Sequence, residues 1–226
     1  MAIGGAGLMS PSGPLLREFV FSLSARQRPR VLYLPTASGD AAEGIAAFYE
    51  AYPASRCHPN HLPLFVRKAE DLRPLILEQD VIFVGGGNTA NMLAIWRLHG
   101  VDTLLKEAWE AGTIMCGSSA GSLCWFEAGI TDSFGPQLAQ LPDGLGFLAG
   151  SNCPHYDSEV LRRPVYRAAV ESGFPPGLAA EDAVGLHFVD RAFHEAITAK
   201  PGGRAFRVEC PGGEVSETAI PARYIG

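Results

Sequence analysis

Short apolar or β-branched runs alternate along this chain with stretches whose apolar positions recur every three to four residues. Val81-Ile82-Phe83-Val84 is apolar at every position, the pattern of a strand buried on both faces of a parallel sheet. Residues 1–5, 31–37, 61–66, 81–85 and 113–117 read as strands. Residues 14–24, 41–51, 71–78, 89–98 and 102–110 read as helices between them. This alternation predicts βαβ units and a mostly parallel sheet covered by helices on both faces. The last third changes character. A helix near 159–171 is followed by short strands at 183–188, 194–199 and 205–209, joined by turns that include Pro201-Gly202-Gly203. An antiparallel extension at one sheet edge is the expected arrangement. The pattern contains no internal repeat, low-complexity tract or long linker, so one α/β domain over 1–226 is expected.

Composition narrows the classes of partner. The net charge of −6 comes without any basic run, which argues against a nucleic-acid or anionic-membrane surface. The N-terminus lacks the basic segment and long apolar core of a secretory signal, and no apolar run approaches the length of a membrane span. Five cysteines are scattered through apolar segments, none in Cys-x-x-Cys spacing. Reduced thiols in a cytoplasmic protein are expected, with no metal and no cofactor.

Candidate chemistry concentrates at three predicted strand ends, where open α/β sheets carry their sites. The first is Gly117-Ser118-Ser119-Ala120-Gly121, a Gly-x-Ser-x-Gly turn behind the apolar run Thr113–Cys116, with a helix predicted to start near Ser122. Such a strand–turn–helix can hold a serine on a strained elbow with its hydroxyl exposed. Ser119 is the candidate nucleophile, and the Ala120 amide is placed to face developing negative charge. The alternative is a small-residue turn that merely packs strand on helix. Cys116, three residues earlier, could offer thiol chemistry, though a small buried hydrophobe also fits it. The second strand end is Gly85-Gly86-Gly87-Asn88-Thr89. Its glycines free backbone amides and allow close ligand approach, so Gly86 is the candidate second oxyanion donor, with Gly87, Asn88 and Thr89 lining a substrate site. Neither dinucleotide spacing nor a phosphate-loop lysine accompanies these glycines.

The third is Cys153-Pro154-His155-Tyr156. Of six histidines, His155 has the sheet-top position expected of a base. His58 and His61 flank Pro59, which argues against a helical metal pair; His99 follows a helix; His187 and His194 read as strand residues. The acid that would orient the base has five candidates: Glu127, Asp132, Asp157, Glu181 and Asp182. Asp132, in a loop after the elbow helix, and Glu127, on that helix, are preferred for their proximity in the chain.

Taken in order, the glycine loop, the Ser-Ala-Gly elbow, Thr131-Asp132-Ser133 and Cys153-Pro154-His155-Tyr156 resemble the peptidase E (aspartyl dipeptidase) serine peptidases, with the cyanophycinases as more distant relatives. Ile3-Gly4-Gly5-Ala6-Gly7 also fits, so the resemblance covers nearly the whole chain. It implies a flavodoxin-like sheet akin to class I glutamine amidotransferases, a nucleophile at Ser119, a base at His155 and an acid near Asp132. The family's acid lies slightly farther from its nucleophile, so this alignment needs a short deletion and keeps Glu127 in view. The resemblance further implies a short peptide substrate, with Tyr156 near it and Arg162 or Arg163 matching an arginine that binds an N-terminal aspartate. It allows a homodimer. A cyanophycinase-like or amidase activity, or a binding module with an idle serine, are the rival readings.

Overall fold

The computed structural model describes residues 1–10 and 13–226. In chain order the elements are β1 (Ala2–Ile3), α1 (Gly13–Ser22), β2 (Arg30–Leu34), α2 (Ala42–Ala51), β3 (His58–His61), α3 (Arg73–Leu77), β4 (Val81–Val84), α4 (Thr89–His99), α5 (Val101–Glu110) and β5 (Ile114–Ser118). These are followed by α6 (Ala120–Leu123), β6 (Phe126–Thr131), β7 (Ala139–Leu141), β8 (Leu148–Cys153), α7 (Arg162–Glu171), β9 (Gly177–Ala180), β10 (Val184–Val189), β11 (Ala192–Thr198), β12 (Arg204–Glu209) and β13 (Ser216–Tyr224). Among these described residues no helix is long and apolar enough to cross a membrane.

The strands form one continuous array in the order β3-β2-β4-β5-β1-β10-β11-β13-β12-β9-β8-β6-β7. The first five run parallel, with Val31 opposite Val81, Val81 opposite Ile114 and Ala2 opposite Gly117. Their unbroken apolar runs follow from being covered twice. Leu32, Leu34, Ile82 and Val84 face α3, α4 and α5, whereas Val31, Tyr33, Val81 and Phe83 face α1 and α2. Each strand therefore alternates between two cores rather than between core and water. The later strands share the first core through Phe126, Leu148 and Leu178, and cover their other face with Tyr166, Ala169 and Val170 of α7.

Three expectations change. The strand predicted at 61–66 is instead His58–His61, a polar edge strand held by its ladder to β2, while Leu62 and Leu64 are buried in the loop that follows. The helix behind the elbow is a single turn, after which the chain enters β6, so Glu127 lies on a strand. The antiparallel hairpin β10–β11 is not at an edge. It lies between β1 and β13 and joins the parallel half to a second group of strands that the apolar pattern did not reveal.

A buried hydrogen-bond relay joins the two halves below the strand ends. Ser122 Oγ on α6 donates to Asn152 Oδ1 on β8 at 2.9 Å, and Asn152 Nδ2 donates to the Leu178 carbonyl on β9 at 3.0 Å. Ser122 and Asn152 are fully buried. Replacing Asn152 with Leu strands two polar groups, and unfolding in urea should show a loss of about 3 kcal/mol; a change within about 0.5 kcal/mol would remove this relay from the list of structural supports.

Candidate active site

Ser119 sits between β5 and α6 with φ 57° and ψ −114°, a left-handed conformation in which a residue other than glycine is strained. The glycines on either side make the turn feasible. A Cβ on Gly117 would come within 2.2 Å of the Gly121 carbonyl oxygen, and one on Gly121 within 2.3 Å of the Val84 carbonyl oxygen. Strand, elbow and helix pack too closely for any side chain at either position. The Ser119 amide donates to the Ile3 carbonyl at 3.1 Å, fixing the elbow to β1. Ala120 opens α6, at a helix start where an amide has no intrahelical acceptor.

His155 lies just beyond β8, also at φ 57°, and its amide donates to the Gly4 carbonyl at 3.1 Å. Its Nε2 is 2.9 Å from Ser119 Oγ and its Nδ1 is 3.0 Å from Asp182 Oδ1. The three side chains thus form an unbroken hydrogen-bonded series, with His155 and Asp182 partly shielded from solvent. Asp182 follows β9, as His155 follows β8. A Cβ on Gly5 would lie 2.0 Å from Asp182 Oδ1 and 2.4 Å from His155 Nδ1, so bare backbone forms the floor under the pair.

Of the five candidate acids it is Asp182 that meets the histidine; the preferred pair, Glu127 and Asp132, and the other two lie elsewhere. Glu127, carried away from the site on β6, accepts from the Gly150 amide at 2.8 Å. Asp132 is largely exposed and lies 3.9 Å from Arg162. Glu181 is buried against Arg204, accepting from its amide and side chain at 3.0 and 3.1 Å. Asp157 serves Asp182 instead. Its Oδ1 accepts from the Asp182 amide at 2.8 Å, and its Oδ2 from Lys200 Nζ at 2.5 Å. Burial works against the Asp157 carboxylate, but the Lys200 ammonium and the Asp182 amide outweigh it and hold its carboxyl below the usual range. Lys200 and the Ser122–Asn152 pair are supports that the sequence did not single out, and Asp157, a candidate acid by sequence, acts here as a support for Asp182. Gly5 belongs to a glycine pair that the sequence does show.

The glycine loop lies beside the serine: a Cβ on Gly86 would be 3.3 Å from Ser119 Cβ and 3.8 Å from its Oγ. Gly87 adopts φ 138°, and a Cβ there would press to 2.2 Å from the Ala37 carbonyl oxygen, so its lack of a side chain answers to packing. Asn88 and Thr89 are engaged in holding the loop itself. Asn88 Oδ1 caps α4 by accepting from the Asn91 amide at 2.8 Å, and its Nδ2 donates to the Ser133 carbonyl at 2.9 Å. Thr89 is buried, and its amide and that of Ala90 donate to Ser133 Oγ at 2.9 and 3.2 Å. Thr131 Oγ1 completes the anchor 2.7 Å from Ser133 Oγ. The Thr131-Asp132-Ser133 motif therefore secures the glycine loop and does not contribute an acid.

The remaining expected substrate contacts are also engaged. Tyr156 is buried and donates to Glu217 Oε2 at 2.6 Å, and burial together with that carboxylate pushes its phenol far up. Arg163 pairs with the same carboxylate and lies over the Tyr156 and Phe206 rings. Arg162 is buried, donating to Glu159 at 2.7 Å and to the Ile130 carbonyl at 2.6 Å. Both guanidiniums are paired with glutamates of the chain. Cys116 is fully buried and its thiol is pushed up to about 12, so it stays protonated and unreactive at neutral pH.

The chain is similar to known peptidases. Residues 1–196 match the model of peptidase family S51. The uncharacterized peptidase YgaJ of Bacillus subtilis (strain 168) is 43% identical over 228 residues, covering 100% of this chain and 98% of that protein. A peptidase E from Shewanella denitrificans is 42% identical over 57 residues, 25% of this chain and 24% of its own. Among solved structures, a peptidase from an acI-B1 Actinobacterium superposes with a TM-score of 0.65 at 16% identity, covering 97% of this chain and 92% of the other. That last likeness is one of fold, in keeping with the flavodoxin-like α/β sheet expected from the sequence. The match across most of its length places the chain in peptidase family S51, and it is a serine-type peptidase.

Proposed function

We propose that the chain hydrolyses short peptides through Ser119, His155 and Asp182. The observation that carries this reading is the continuous series from Ser119 Oγ to His155 Nε2 at 2.9 Å and from His155 Nδ1 to Asp182 Oδ1 at 3.0 Å. Ser119 Oγ attacks the scissile carbonyl carbon while His155 Nε2 takes its proton. Asp182 holds the ring with Nδ1 protonated and stabilises the imidazolium that forms. The carbonyl oxygen, now carrying the negative charge, accepts from the Ala120 and Gly86 amides. As the C–N bond breaks, His155 returns the proton to the leaving amine. Water, deprotonated in turn by His155, then releases the acyl group and restores Ser119.

A dipeptide-sized substrate accords with a site formed among sheet-top loops, a step that rests on family analogy. An N-terminal aspartate is not required, because Arg162 and Arg163 are both bound to glutamates of the chain itself. Initial rates on a dipeptide panel should therefore show Asp-x substrates within about tenfold of neutral ones, since an unmatched charge is what separates substrates strongly.

Substitution distinguishes the acids. Ser119→Ala should abolish labelling by a serine-directed phosphonate, and Asp182→Asn should lower kcat on the order of 10^3- to 10^4-fold. Asp132→Asn and Glu127→Gln should stay within a few-fold of the parent protein. A large loss at Asp132 with little at Asp182 would reverse the assignment.

Ser133→Ala removes the hydroxyl that holds the Thr89 and Ala90 amides. It should lower kcat/KM about tenfold or more by loosening the Gly86 donor, with only a modest loss of stability. Equal kinetics for that variant would disconnect the anchor from catalysis.

A further inference from the structure

We propose that His187, His194 and Glu195 form a binding site for a divalent transition-metal ion of zinc type, separate from the Ser119 site. The sequence pattern treats the two histidines as ordinary strand residues, and alternation would put His194 and Glu195 on opposite faces. The ladder changes that. His187 on β10 pairs with Glu195 on β11, but the next pair is Phe188 with Phe193. His194 is therefore the extra residue of a β-bulge, and a bulge re-aims side chains and sets two residues against one on the partner strand. The donor atoms of His187, His194 and Glu195 all come within 4.8 Å of one another.

The chemistry of this set suits zinc: two imidazole nitrogens, one carboxylate and room for a water as the fourth ligand. Tetrahedral donors around zinc lie roughly 3.3 Å apart, given bonds of about 2.0 Å, so closing the site takes only side-chain adjustment. His187 Nδ1 is buried and has no hydrogen-bond partner among the described residues, with Glu195 Oε1 3.8 Å away. A metal ion supplies the electrophile that nitrogen lacks. The outer contacts orient the donors. Phe19 meets the His187 ring edge-on at 5.4 Å, and the His187 and His194 rings are 5.3 Å apart at 82°. Arg223 holds the Glu195 carboxylate through Nε at 2.8 Å and a terminal nitrogen at 2.9 Å. That bidentate grip occupies one lone pair on each oxygen and leaves the other available.

The location points to a structural role. β10 runs antiparallel to β1 with Leu186 opposite Ala2, so His187 lies toward the amino end of β1, while the Ser119 amide is bonded to Ile3 at its carboxyl end. A metal here would staple the β10–β11 hairpin, which joins the two groups of strands.

The test is a calorimetric titration of the metal-free full chain with zinc chloride, paired with thermal unfolding. The parent protein should bind one equivalent and unfold at a higher temperature with zinc present. His194→Ala, an exposed position, should weaken binding roughly tenfold or more and remove the thermal shift, while its metal-free unfolding matches the parent. Cobalt(II) should give the visible bands of a four-coordinate site in the parent and lose them in that variant. Zinc binding that is unchanged in His194→Ala, or no binding by the parent at up to about 100 times the micromolar range, would overturn the proposal.

Discussion

Two residues without side chains hold the candidate site together. The Gly4–Gly5 backbone continues β1, whose Ile3 carbonyl holds the elbow amide, and its own groups are bonded to the later strands and their loops. Gly4 donates to the Val184 carbonyl at 3.0 Å, its own carbonyl accepts from His155, and the Gly5 carbonyl accepts from the Ala183 amide at 2.8 Å. A Cβ at Gly4 would strike the Ala180 and Glu181 carbonyl oxygens at 2.4 Å. The elbow serine belongs to one side of this seam, and the histidine and aspartate belong to the other. Their hydrogen bonds exist only because the backbone between them is thin enough for the two sides to approach.

The strain at the site is carried by that same closeness. Ser119 and His155 both hold φ at 57°, conformations that cost on the order of 1–3 kcal/mol each for residues with a side chain. Each has its amide tied to the β1 segment, Ser119 to Ile3 and His155 to Gly4. The buried Ser122–Asn152–Leu178 relay ties α6, β8 and β9, the elements next to Ser119, His155 and Asp182, from beneath. A reacting oxygen and nitrogen positioned this way need little reorganisation when a substrate arrives, the condition under which fixed donors are most effective.

Much of this was legible in the sequence, and the reasons are local. The β4 run and the Gly-x-Ser-x-Gly elbow announce themselves because burial on two faces and a tight turn each demand particular residues at adjacent positions. Asp182 is legible only as one of five candidate acids, not as the one that meets His155. It lies 27 residues beyond the histidine, and only the parallel pairing of β8 with β9 brings the two strand ends together. Glu127 is carried off because the chain makes one helical turn and enters β6, where the sequence predicts a continuing helix. Thr131-Asp132-Ser133 marked the right neighbourhood through the wrong residue, since it is the Ser133 hydroxyl, not the Asp132 carboxylate, that faces the glycine loop. The bulge that aligns His194 with Glu195 leaves no trace in hydrophobic periodicity, which records faces and not register.

The ends of the array carry one more consequence. The outermost strand on one side, β3, reads His-Pro-Asn-His, and the outermost on the other, β7, is three residues long. A proline cannot donate to an incoming ladder, and a three-residue rim offers little to template one. Growth of the sheet from molecule to molecule is thereby discouraged at both margins. The backbone ladder is so kept a private property of each chain.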